Sequence, residues 1–149
     1  APLGFPLSPS KWTVETSNAS LQTQGTPTTG TWYNLGSVNL VIPIGIWEVE
    51  YFVGAQINEA TANATVQIDV TLSTGNNTES DTDLSCYASL TTLSAGQAGG
   101  MWFSKKKILE LAAKATYYLN TMTDTTGMDN LYNRGDNGKT FVRAKCAYL

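Results

Sequence analysis

Residues 38–55 read VNLVIPIGIWEVEYFVGA, two strands and the corner between them. Val38, Leu40 and Ile42 recur at a period of two, Pro43 and Gly45 punctuate, and Trp47, Val49, Tyr51 and Val53 resume the alternation with Glu48 and Glu50 between them. A side chain every second residue on one face is the mark of a sheet with that face on a core and the other in water. The pattern returns at Val66, Ile68, Val70 and Leu72, interleaved with Gln67, Asp69 and Thr71. The spacing predicts an all-β chain.

Working outward, strands are expected near residues 31–35, 38–42, 46–55, 65–73, 84–91, 101–104, 107–111, 115–121 and 139–148, at the spacing of an antiparallel β-sandwich. The run KKKILELAAKATYYL, residues 105–119, also has the propensity for an amphipathic helix with Ile108, Leu111, Ala112 and Ala115 on one face. The strand formers Thr116, Tyr117 and Tyr118, and β segments on both sides, favour two strands turning near 112–114. Asn137-Gly138 carries the signature of a type I′ hairpin feeding the last strand. Residues 1–30 differ in character, with Pro2, Pro6 and Pro9 and a polar Thr/Gln/Gly tract. They read as an extended arm whose Leu3, Phe5 and Leu7 seek an apolar surface to attach to, ahead of a domain at 31–149.

Composition bounds the function. A chain of 149 residues is one domain's worth, able to bury a core without metal or disulfide support. Only 14% of residues are charged, against roughly 25% in soluble proteins, so the surface is polar rather than ionic. Residues 1–104 hold one basic and eight acidic residues, residues 105–149 eight basic and four acidic. The bases are dispersed over several strands without interleaved aromatics, which points to charge balance within the fold or across a subunit interface and not to nucleic acid. No apolar run approaches the roughly 20 residues that span a bilayer, and residues 1–30 lack the regions of a signal peptide, so no membrane insertion is expected. Cys86 and Cys146 are separated by 60 positions and admit two readings, free thiols or a bridge worth about 4 kcal/mol in the chain-entropy model.

With no histidine, Ser-His-Asp and Cys-His nucleophilic systems and the common transition-metal sites are absent. Glu48 and Glu50 share a strand face, an arrangement that an acid/base pair uses but that an exposed acidic face explains as well. Glu79, Asp81 and Asp83 lack the Gly and Glu that an EF-hand requires, so no metal is expected. Binding candidates lie instead in the loops 74–83, 94–100 and 122–138 and beside them: Asn76, Asn77, Asp129, Tyr132, Arg134 and Asp136, with Trp102 next to the Gly99-Gly100 loop, polar side chains with aromatics suited to hydrogen bonding and stacking on a glycan or protein. Arg134-Gly135-Asp136 is also an RGD tripeptide, in residue types that such a turn requires anyway.

The order of features, an apolar strand, GIWEVEYFV, a second alternating strand, polar loops, KKKILELAAKATYYL and the terminal TFVRAKCAYL, resembles the jelly roll of the tumour necrosis factor and complement-globular-head superfamily, as it occurs in bacteriophage tail-fibre tips and other virion surface proteins. The Gly45-x-Trp47-x-Val49-x-Tyr51 segment is similar to a central core strand, Leu109 to Leu119 to the paired strands late in the roll, and Phe141 to Leu149 to the closing strand. The resemblance implies a non-enzymatic homotrimer without cofactor at a virion surface. Apical loops would bind a host cell-surface glycan or protein, and other capsid or tail proteins would be its neighbours. Capsid decoration, with the arm attached to the shell, is the alternative; a carbohydrate-binding domain of an enzyme is a third reading.

Overall fold

Where Trp47, Val49, Tyr51, Val53, Ala55 and Ile57 alternate, the computed structural model places one uninterrupted strand with all six side chains buried. The model describes residues 12–59 and 64–147. Its strands are β1 (Thr13–Asn18), β2 (Leu21–Gly25), β3 (Asn39–Ile42), β4 (Gly45–Glu59), β5 (Ala64–Ser73), β6 (Ser85–Leu93), β7 (Ala98–Leu111), β8 (Ala115–Thr123), β9 (Met128–Arg134) and β10 (Thr140–Cys146). All pairings are antiparallel. The first strand pairs with the tenth, the second with the ninth, the third with the eighth, the fourth with the seventh and the fifth with the sixth. That nesting is one long hairpin rolled up, the jelly-roll arrangement. Rolling adds β10 and β9 along the free edge of β4, and β8 beside β5.

The result is a sandwich. One sheet runs β3-β8-β5-β6; the other is centred on β4, with β7 on one edge and β10 and β9 end to end on the other, flanked by β1 and β2. Val66, Ile68, Val70, Leu72 and Leu119 from the first sheet meet Val49, Tyr51, Val53, Ile57, Leu131 and Val142 from the second, all at 0–1% exposure. Each such side chain contributes about 1.5–3 kcal/mol by leaving water. Tyr51 keeps its hydroxyl in this core by donating to the Val70 carbonyl at 3.5 Å, and burial drives its phenol well above the ordinary value of 10.0. Cys86 and Cys146 are free and half-buried, on strands of different sheets.

Several expectations change. Residues 13–25, read as part of an arm, form β1 and β2 and extend the second sheet; Leu3, Phe5 and Leu7 lie outside the described residues. Residues 31–35 make no strand, only a bridge between Tyr33 and Thr121. The segment 98–111 is one strand, because β4 continues opposite it without a break, and the turn at 112–114 falls where the strand formers Thr116 to Tyr118 placed it, not within a helix. The loop expected at 122–138 contains β9. Asn137-Gly138 is not a hairpin turn: β9 and β10 do not pair with each other but follow one another along β4. Between the pairs Phe52–Phe141 and Ala55–Asn133, β4 has the two residues Val53 and Gly54, while its neighbour has the seven from Arg134 to Thr140. The surplus is expelled as a bulge containing a 3-10 turn at Gly135–Asn137.

The uneven charge along the sequence resolves on the outer face of the second sheet. Acidic β4 and β1 lie beside basic β7 and β10, so Glu48 meets Lys106 at 3.3 Å, Glu50 meets Arg143 at 3.2 Å and Lys145 at 3.3 Å, and Glu15 meets Arg143 at 2.7 Å and Lys139, just ahead of β10, at 3.1 Å. Glu48 and Glu50 are neutralised members of this ladder.

Candidate functional site

Outward-facing positions of β4 are its even-numbered residues, Ile46, Glu48, Glu50, Phe52, Gly54, Gln56 and Asn58. Gly54 interrupts this row and leaves a gap one side chain wide. Trp102, directly opposite it on β7, fills the gap: a Cβ at position 54 would lie 2.5 Å from Trp102 Cζ3. The benzo edge of the indole also reaches across β4 to Gly138 in the bulge, where an added Cβ would lie 2.5 Å from Cη2. Phe52 stacks on one face of the ring, at 5.0 Å between centroids and 9° between planes, and Phe141 stacks on Phe52 at 5.9 Å. Arg143 caps the row, 4.7 Å above the Phe141 ring. A large apolar ring that is still 43% exposed is thus held edge-down by two glycines and backed by aromatics.

Because Phe52 and Gln56 flank Gly54 on the same face, the ring face turned away from Phe52 looks toward Gln56. There the surface opens into a slot of about 200 Å³, lined by Gly54, Gln56, Gly100, Met101, Arg134 and Asn137 beside the indole. Its polar side is a chain of hydrogen bonds. Arg134 donates through Nη1 to Gln56 Oε1 at 2.6 Å and through Nε and Nη2 to the Asp136 carboxylate at 2.9 and 3.2 Å. Gln56 Nε2 donates to Asn58 Oδ1 at 3.4 Å, and Asn58 Nδ2 to the Tyr132 hydroxyl at 3.2 Å. The Arg134 fork holds the Asp136 carboxyl below the ordinary carboxylate range. Among the sequence candidates, the structure therefore brings Trp102, Arg134 and Asp136 to one place and connects Tyr132 to them. The RGD tripeptide is closed on itself by the Arg134–Asp136 fork.

The other candidates lie elsewhere. Asn77, at φ 57° in the β5–β6 connection, accepts from the Asn34 N–H at 2.6 Å, and its own N–H donates to Asn120 Oδ1 at 3.3 Å, so it fixes a turn. Asn76 beside it is exposed. Asp129 is exposed at β9, where its carbonyl accepts from the Thr26 N–H at 2.7 Å. Asp81 and Asp83 share Lys107 at 2.7 and 2.8 Å, and Glu79 accepts from the Ser85 hydroxyl; no metal-holding cluster exists among the described residues. Sequence reasoning missed Phe52, Gln56 and Asn58. The available signal was Gly54, a lone glycine inside a strand pattern, which marks a close approach.

No family model matches the chain and no curated protein matches it. Solved structures similar to it include that of infectious bursal disease virus Gx strain, at 13% identity and a TM-score of 0.42, covering 89% of this chain and 30% of that one. Dimeric latent PorU from Porphyromonas gingivalis is similar at 11% identity and 0.41, over 89% of this chain and 12% of that one. The C-terminal CBM6 of LamC, from Zobellia galactanivorans, is similar at 17% identity and 0.29, over 89% and 98%. The chain spans under a third of the length of the first two.

Proposed function

We propose that this protein is a non-catalytic attachment module at a virion surface, assembled as a homotrimer, that recognises a host glycan through the slot beside Trp102. The observation that carries the glycan reading is the indole itself: half exposed, fixed edge-down on Gly54 and Gly138, with one face backed by Phe52 and the other opening onto Gln56 and Arg134. Sugars present an apolar C–H face and a rim of hydroxyls, and a rigid aromatic wall beside fixed amide and guanidinium groups complements both. The virion setting rests on the resemblance of the strand order to virion jelly rolls. Exposed Ile108 and Tyr87, at 60% and 73%, support burial between subunits.

Capsid decoration is the second reading, favoured by exposed Val41 and Ile44 at the β3–β4 corner, at 48% and 66%. One comparison separates the two: binding of purified wild-type protein and Trp102→Ala to arrayed glycans and host cells, and to capsids lacking the protein. Saturable glycan or cell binding lost in Trp102→Ala supports attachment. Tight capsid binding that Trp102→Ala leaves intact, with no glycan or cell binding, establishes decoration instead. Light scattering at micromolar concentration checks the trimer, and a monomer would defeat it.

A further inference from the structure

Resting on the glycan reading of this slot, we infer that it takes a single uncharged sugar unit and discriminates against sugars bearing a carboxylate. Size is the first ground. At about 200 Å³ the slot falls below the roughly 300–1,000 Å³ of sites for drug-sized ligands, and Phe52 occupies the second face of the indole, so one ring stacks where a continuous platform would take several.

Charge is the second ground. Arg134 is the cation at the slot, and its charge is already taken: two of its five N–H groups go to Asp136 in a bidentate fork and a third goes to Gln56. A sugar carboxylate arriving there would compete with Asp136 for the guanidinium and meet a like charge only a few bond lengths away. A hydroxyl meets no such penalty. It both donates and accepts, and the Arg134–Asp136 pair offers both: two remaining guanidinium N–H donors and the unused lone pairs of an exposed carboxylate. Asn137, at the same rim, adds an amide with one acceptor and two donors. The fork thus supplies hydroxyl-matching geometry without net charge, which is the chemistry that selects a neutral hexose over its uronic acid.

The test uses the full chain on an array of matched pairs, glucosides with glucuronosides and galactosides with galacturonosides, presented densely so that multivalency makes weak binding visible. At least one neutral sugar should bind, with its uronate at least about tenfold weaker, the size of a lost charged hydrogen bond. Asp136→Asn should free the Arg134 charge and close that gap by about tenfold. Trp102→Ala should abolish binding to the neutral sugar. Equal or tighter binding of the uronates by the wild type would overturn the discrimination while leaving the glycan reading in place. A failure of every sugar to bind would overturn the glycan reading and the discrimination with it.

Discussion

Gly54 and Trp102 face each other across β4 and β7, and the indole occupies the volume that a side chain at position 54 would need. The whole candidate site depends on that exchange, since Phe52 stacking and the slot beyond the ring both follow from where the ring lies. Gly54→Ala should therefore destabilise the domain by about 1–3 kcal/mol, the usual cost of forcing a methyl into filled space. It should also shift Trp102 emission and remove ligand binding. Urea denaturation with tryptophan fluorescence reads both, and an unchanged midpoint with unchanged emission would refute the packing.

Glu15 is held below its ordinary value of 4.5, first by the hydrogen bond from Arg143 and then by Lys139, against an opposing effect of burial. A depressed carboxylate contributes stability above its ordinary pKa and loses it as pH falls through the folded value. Glu15→Gln should thus lower stability at pH 6 by at most about 1 kcal/mol, as for partly exposed pairs, and make the decline below pH 4.5 shallower. Thermal melts of wild type and variant from pH 7 down to 3 test this; parallel curves would exclude the contribution.

Asp69 has the opposite sign. Burial, with Asp124 and Glu79 adding like charge, raises its carboxyl above the ordinary 3.8 although Gln67 donates to both its oxygens at 3.0 and 3.1 Å. The folded state holds this proton more tightly than the unfolded chain, so stability falls as pH rises above 3.8 and stays lower at neutrality. Asp69→Asn should raise stability slightly at pH 7, by no more than about 0.5 kcal/mol, seen as a small rise in melting temperature, and leave it unchanged at pH 3. A loss of stability at pH 7 would contradict it.

Removing residues 1–25 should abolish the cooperative thermal transition, because β1 and β2 pair with β10 and β9 along most of their length. Without them both inner strands present open edges, and Val14 no longer packs against the core. Circular dichroism of the truncated chain decides the matter. A sharp transition near the wild-type temperature would return residues 13–25 to the status of a detachable arm.

Alternation along β4 and β5 was enough to specify strands, their buried faces and an all-β sandwich, because a period of two states which side of a sheet each residue occupies. The edge strands β1 and β2 were invisible for the same reason in reverse. In TVETSN and LQTQG, Val14 and Leu21 are the apolar members, and Leu21 is exposed, so no buried face is written in the letters. Strand β9 was hidden because Asn133, at 1% exposure, sits at an inward position where a hydrophobe was expected; its Oδ1 accepts from the Thr121 hydroxyl at 3.0 Å while its Nδ2 is buried without a partner. The candidate site is legible only in three dimensions. Trp102, Gln56 and Arg134 come from three strands, and register brings them together: β7 against one edge of β4, β9 against the other, and a bulge that carries Gly138 under the indole. Sequence periodicity fixes faces, but pairing partners between distant segments are chosen by the burial of the whole core, and that choice put an aromatic ring, the amides of Gln56 and Asn137 and a guanidinium around a single slot.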